Sequence, residues 1–270
     1  MIEYILRRFG NLITIYHKSG ARGAARLFAL LAKATNAEPL LETLTQHGVK
    51  VVLTPRHYVD TEIIRRGYYE IEVLEAVLEH LRPRDVFWDV GANIGLHSVT
   101  VKSLRPDSTV VAFEPNPEMV QRLLRMMRLN AIAFQVVQSA LWNTSTLQGL
   151  TLLQPFNPGM TTLLPNGDNC SPICHISCHR ADDLVKQNLV PQPNVIKLDV
   201  EGAESKVLEG LTETLQSRSV RAVIFEHTPS GTTDASIPFV RLPTLGFRVE
   251  RLKSHHAAPH SNYIAVRDSF

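Results

Sequence analysis

From Pro83 onward the sequence alternates short strand-like runs with longer stretches of helical period, and this constrains the fold more than any other feature. The run at 85–90 (DVFWDV) is almost continuously apolar, as strands buried on both faces are. Runs at 109–114 (TVVAFE), 134–138 (FQVVQ), 194–199 (NVIKLD) and 220–226 (VRAVIFE) follow it. Between them, 94–104, 117–130, 181–188 and 203–216 read as helices. The second has apolar residues at 120, 123, 124 and 127, the last at 203, 207, 208, 211 and 215, one stripe each at the 3.6-residue period. Such alternation predicts a parallel sheet with helices on both faces. The tail reads as a helix or loop near 236–245, then strands near 247–252 and 262–266.

The first third differs. Residues 3–17 and 20–34 read as two helices rich in Leu, Ala and Arg, broken at Ser19-Gly20. Residues 48–53 (GVKVVL) form a short strand that Pro55 stops. A helix over 69–81 follows, its stripe at 71, 74, 77, 78 and 81, closed by Pro83. A Gly/Pro/Asn/Thr-rich stretch, 143–171, interrupts the alternation as an insertion or edge hairpin with a short strand at 150–154. The predicted organisation is an N-terminal helical extension with a short strand pair over 1–60 and one α/β domain over 61–270. The length, 270 residues, suits that division.

Lys+Arg number 28 and Asp+Glu 26, a net +2. That balance gives no bulk drive toward nucleic acid or an anionic membrane. Three cysteines, an odd number, argue against a disulfide framework and suit a reducing compartment. The first 16 residues lack a continuous apolar core and a cleavage site, and no run approaches the ~18 apolar residues of a membrane span. The expectation is a cytoplasmic protein with no membrane span.

Open parallel sheets bind ligands at the carboxyl ends of their strands, where strand order reverses. The first strand ends in DVGANIG, 89–95. Gly91 permits the sharp turn and Gly95 a close approach as the helix opens. A dinucleotide fingerprint would need glycine at 93 and 96; the chain has Asn93 and Leu96. Asp89 at the strand end would repel a pyrophosphate and suits a cofactor bearing an ammonium or sulfonium. Glu114, closing the second strand, can accept both hydroxyls of a ribose, which serves NAD or S-adenosylmethionine equally. Ser139 and Ala140 are small enough to flank an adenine.

DVGANIG at 89–95, FEPNP at 113–117, SALWN at 139–143 and IKLDVEGAE at 196–204, with GYYE at 67–70 and IFEH at 224–227, resemble the FkbM-type S-adenosylmethionine-dependent methyltransferases, in that family's order. The resemblance implies a class I methyltransferase fold: a Rossmann-like seven-stranded sheet, mostly parallel with its last strand antiparallel. It implies methylation of an oxygen on a sugar or other natural product, a small-molecule hydroxyl acceptor rather than nucleic acid. Carried over, Asp89, Gly91, Asn93 and Gly95 would shape the methionine end of the cofactor pocket. Glu114, with Pro115 and Asn116 beside it, would hold the ribose, and Ser139 and Ala140 the adenine. Tyr69 and Glu70 would cover the cofactor from one side. Residues 1–60 and 143–180 lie outside these motifs, and acceptor choice is expected there.

An alcohol nucleophile is almost wholly protonated at neutral pH, so a positioned base is expected. Strand alternation puts Lys197 and Asp199 on one side, and the lysine would keep a neighbouring carboxylate ionised. Asp199, which also borders the cofactor pocket, and His227 are the candidate bases. Glu201 and Glu226 would orient the acceptor or hold a divalent cation, which nothing in the spacing demands. Cys170, Cys174 and Cys178 are spaced C-x3-C-x3-C, off the register of known metal motifs, and read as buried thiols; no metal site is expected. Arg122, Arg125 and Arg128 read as a solvated helix face. The N-terminal helices can pack on the domain, cap it as a lid, lie on a membrane or form a homodimer contact. Rival readings are an RNA or protein methyltransferase, an inactive protein that keeps the fold, and a NAD enzyme, the last disfavoured by Asp89, Asn93 and Leu96.

Overall fold

The structure is a computed structural model and describes residues 41–54, 57–153, 159–163, 171–227, 237–254 and 261–268. The helices expected over 3–17 and 20–34, and Cys170, lie outside the described residues.

The central sheet has seven strands. From one edge these are β12 (Phe247–Arg251), β13 (Ser261–Arg267), β11 (Ala222–His227), β10 (Val195–Leu198), β3 (Val86–Val90), β4 (Thr109–Phe113) and β5 (Gln135–Val137). β11, β10, β3, β4 and β5 are parallel. β13, the last in the chain, runs antiparallel to both neighbours. Strand order builds outward from β3 to β4 and β5, then jumps back to β10 on its other side. The switch point, and hence the crevice, lies between β3 and β10.

Alternation along each strand divides the interior into two cores. Phe87, Val110, Ala112, Val195, Ala222 and Ile224 face one way. They pack under α2 (Ile71–His80), α3 (Leu96–Leu104) and α4 (Pro117–Leu129). Trp88, Val111, Phe113, Ile196, Leu198, Val223 and Phe225 face the other. They pack under α5 (Ala181–Lys186), α6 (Glu204–Gly210), α7 (Thr212–Gln216) and α8 (Ile237–Thr244).

An antiparallel hairpin, β1 (Leu41–Leu44) with β2 (Lys50–Leu53), and helix α1 (Tyr58–Arg66) join the first core through Leu41, Val51, Leu53, Ile63 and Ile64. Asp60 of α1 is completely buried. Its Oδ2 accepts from Thr54 N at 2.7 Å and from the Arg122 guanidinium at 2.6 Å. Arg122 also donates to Val52 O. The solvated arginine face expected on α4 is therefore corrected at one position: Arg125 and Arg128 are exposed, while Arg122 turns inward to the only carboxylate of α1 without another arginine partner among the described residues.

The stretch expected as an insertion forms its own sheet, in the order β6 (Ala140–Leu141), β9 (Cys174–His179), β7 (Thr146–Leu152) and β8 (Thr161–Thr162). The helix expected over 203–216 is two. Gly210 lies so close to Trp142 that a Cβ would overlap the Trp142 carbonyl. After it, Asp182 of α5 caps a new start: its carboxylate accepts from Glu213 N at 3.1 Å, Thr214 N at 2.8 Å and Thr214 Oγ1 at 2.7 Å.

Candidate active site

The acids at the strand ends share one parity. Asp89, Glu114, Asp199 and Glu226 continue the alternation of Phe87, Ala112, Val195 and Ile224, the face covered by α2 and α3. Lys197 on β10 is the register partner of Asp89 on β3, so the two side chains meet. Lys197 Nζ lies 3.2 Å from Asp89 Oδ1 and 3.3 Å from Asp199 Oδ2, and donates to Gly91 O at 3.1 Å. One of these contacts is a hydrogen bond and two are ion pairs. Lys197 is thus spent on holding the loop and both carboxylates.

Burial alone would raise the Asp89 pKa, but Lys197, His97 and the Ser98 bonds outweigh it and hold the group below its ordinary range. Burial would lower Lys197; Asp89, Asp199 and Glu70 outweigh it and keep the ammonium protonated. For Asp199, burial raises the pKa, with Glu70 and Asp89 adding to it against the pull of Lys197. The result is a carboxylate held in place yet more basic than one in water.

The β3–α3 turn sets the geometry. Gly91 has φ +77°, and a Cβ there would fall on the Asp199 carbonyl oxygen. Asn93 follows at φ 51°, a left-handed conformation that asparagine tolerates. Glu70 (φ 52°) and Glu201 (φ 51°) share it without that tolerance, and both line the cavity; such strain concentrates at functional sites. Glu114, just past β4, reaches back: Oε2 accepts from Asn93 N at 2.7 Å and Oε1 from Asn116 N at 2.8 Å. Burial pushes its pKa up to about 7, against those two N–H bonds.

Two adjoining cavities open at the switch point. The larger, about 440 Å³, takes in Tyr69, Glu70, Gly91, Asn93, Asp199, Glu201 and Glu226 among the expected residues. The smaller, about 70 Å³, takes in Glu114, Pro115, Ser139 and Ala140, and shares Gly91, Asn93, Asp199 and Glu201 with the first. Gly159 also borders both, against the Asn93 amide.

Four expected residues lie outside both linings. Asp89 does not point into the cleft: it is completely buried, and its Oδ2 accepts from Ser98 N at 3.1 Å and Ser98 Oγ at 2.6 Å, tying β3 to α3. Gly95 serves helix packing, since a Cβ would come within 2.6 Å of Leu123. Asn116 caps α4 through Glu118 N at 2.9 Å. His227 has the opposite parity from Glu226; its ring packs edge-on against Phe239 and Tyr263, centroids 4.9 and 5.9 Å away. Tyr58, Met160 and His97 join the larger wall unforeseen. Of these only His97 carried a signal, its place two residues past the DVGANIG turn.

Among the described residues no group of three or more His, Cys, Asp or Glu is arranged to hold a metal ion. Cys174 and Cys178 are free thiols, and burial raises that of Cys178 to about 11. No described helix is long and apolar enough to cross a membrane.

The smaller cavity presents acceptor groups along its wall. Ser139 Oγ is buried there without a hydrogen-bond partner, and each Glu114 oxygen, bonded once to backbone, retains acceptor capacity for a hydroxyl. The acidic larger cavity beside it suits a positive charge.

Residues 89–249 match the family model described as the methyltransferase FkbM domain. The hexuronic acid methyltransferase AglP of Haloferax volcanii is 34% identical over 173 residues, which cover 58% of this chain and 62% of that protein. The chain thus spans less than two thirds of that relative's length. The 31-O-demethyl-FK506 methyltransferase FkbM of Streptomyces tacrolimicus is 26% identical over 204 residues, 64% of this chain and 78% of that one. A solved structure of methyltransferase FkbM from Methylobacillus flagellatus KT aligns with a TM-score of 0.48 at 15% identity, covering 77% of this chain and 54% of that chain.

Proposed function

The chain belongs to the FkbM methyltransferase family, and from that premise we propose that it is an S-adenosylmethionine-dependent O-methyltransferase acting on a hydroxyl of a sugar or other small natural product. The observation that carries this reading is the pair of adjoining cavities: a small recess lined by Glu114, Ser139 and Ala140, and an acid-walled chamber in which Asp199 is fixed by Lys197. The names of the two curated relatives, one acting on a hexuronic acid and one on a demethylated FK506, support an oxygen acceptor.

Bound S-adenosylmethionine would supply an activated methyl carbon on a sulfonium. Glu114 would accept the ribose hydroxyls, and Ser139 and Ala140 would flank the base. Asp199 Oδ2 is committed to Lys197, so Oδ1 would take the acceptor's proton as the oxygen–carbon bond forms. A base in this position typically contributes 10²–10⁴-fold, and alignment of the two reactants supplies much of the rest. Glu226 and Glu201, on the same wall, would accept from further hydroxyls and orient the acceptor.

Titration calorimetry with S-adenosylmethionine and S-adenosylhomocysteine tests the donor, and transfer of labelled methyl to a panel of neutral sugars, uronic acids and polyols tests the acceptor. Saturable binding of both donor forms and label on oxygen are expected. Folded protein that binds neither sinks the proposal.

A further inference from the structure

His97 is the second residue of α3 and part of the wall of the larger cavity. It is 6% exposed. Its ring meets Tyr68 edge to face, centroids 5.6 Å apart, with Nδ1 3.4 Å from the Tyr68 hydroxyl. That hydroxyl donates to Leu96 O at 3.4 Å, and in the tautomer that donates Nδ1–H to its oxygen the imidazole lone pair lies on Nε2. Nε2 is buried and has no hydrogen-bond partner. A buried polar atom left unmatched carries a desolvation cost, and native structures rarely keep one without a use.

The neighbourhood says what would match it. The charged groups acting on His97 are Lys197, Asp89 and Glu70. Burial, followed by Lys197, pushes the His97 pKa down to about 4, so the ring is neutral at physiological pH. Lys197 does not bond to it: its ammonium donates to Gly91 O and is paired with Asp89 and Asp199. A neutral acceptor nitrogen among carboxylates is complementary to an N–H of a cation and not to a carboxylate.

We propose that His97 Nε2 accepts a hydrogen bond from the methionine ammonium of the methyl donor, fixing the aminoacyl end of that ligand in the larger cavity. This rests on the donor assigned above. Ser139 Oγ and His97 Nε2, the two orphaned atoms of the cavity pair, then mark opposite ends of one ligand.

The experiment compares two ligands that differ only beyond the sulfur: S-adenosylhomocysteine, and 5′-methylthioadenosine, which lacks the amino acid. His97→Asn keeps an amide where Nδ1 meets Tyr68 but falls short of Nε2; His97→Gln restores an acceptor oxygen at that reach. By calorimetry, His97→Asn should lose about tenfold or more in S-adenosylhomocysteine affinity, the loss expected for one charge-assisted bond, with 5′-methylthioadenosine affinity unchanged. His97→Gln should recover most of the loss. Equal losses for both ligands, or none, overturn the assignment. A wild-type protein that binds 5′-methylthioadenosine but gains nothing from the aminoacyl group overturns this assignment alone. One that binds neither overturns the donor reading as well.

Discussion

At the scale of single residues, Glu114 and Asp199 are the groups whose protonation should govern behaviour. Burial raises Glu114 to about 7. A carboxyl raised on folding contributes stability below its unfolded pKa and loses it as pH rises through the folded value, so the empty protein should lose that increment between roughly pH 4.5 and 7. Ribose hydroxyls need the ionised form, so donor binding should run the other way. Affinity should be about tenfold weaker at pH 6 than at pH 8, with net proton release near pH 7. Calorimetry in buffers of differing ionisation enthalpy reads both quantities; a pH-independent affinity would count against Glu114 as the ribose acceptor. Asp199→Asn should lower kcat by 10²–10⁴-fold while leaving donor affinity nearly intact, as measured by single-turnover kinetics beside direct binding. Turnover at the wild-type level would place the base elsewhere.

At the scale of elements, the alternation of strands and helices was plain in the sequence because each strand is buried on both faces and each helix on one. Strand ends were legible too, and so was the place of Glu114, Asn93, Asp199 and Glu226 on the cavity walls. What escaped has a common cause. The break between α6 and α7 is made by Asp182, about thirty residues upstream, and by the Trp142 carbonyl pressing on Gly210. Asp89 was assigned to the ligand because its rotamer and its partners Ser98 and Lys197 are tertiary facts. The second sheet pairs strands across a stretch with little periodicity of its own. Removing the Asp182 carboxylate tests the cap: Asp182→Ala should destabilise the protein by about 2–3 kcal/mol, read as a fall in Tm of several degrees. A change within experimental error would mean that α7 starts unaided.

At the scale of the whole molecule, the hairpin and α1 are wired to the sheet domain by a buried ion pair as well as by shared core. Burial raises the Asp60 pKa against the pull of Arg122, and Asp60 Oδ1 has no hydrogen-bond partner. Arg122→Met should therefore cost about 3–5 kcal/mol by stranding that charge, and Asp60→Leu in the same background should return much of it. Denaturant unfolding measures both, and additive losses would exclude the coupling. Because Tyr58 of α1 faces the larger cavity, Arg122→Met should also raise the acceptor KM more than the donor Kd.

The shared parity of the strand-tip acids carries a last consequence. Along β10 and β11 and one step past β10, Lys197, Asp199 and Glu226 alternate with Leu198 and Phe225, so ions and grease occupy the same tips back to back. Slipping either strand by one position would keep every amino acid and every hydrogen-bonded rung, yet swing the ions into hydrocarbon and the hydrocarbon into the chamber. The inventory of this site is therefore subordinate to its phase, and a one-residue deletion in β10 should be more damaging than most substitutions at the site itself.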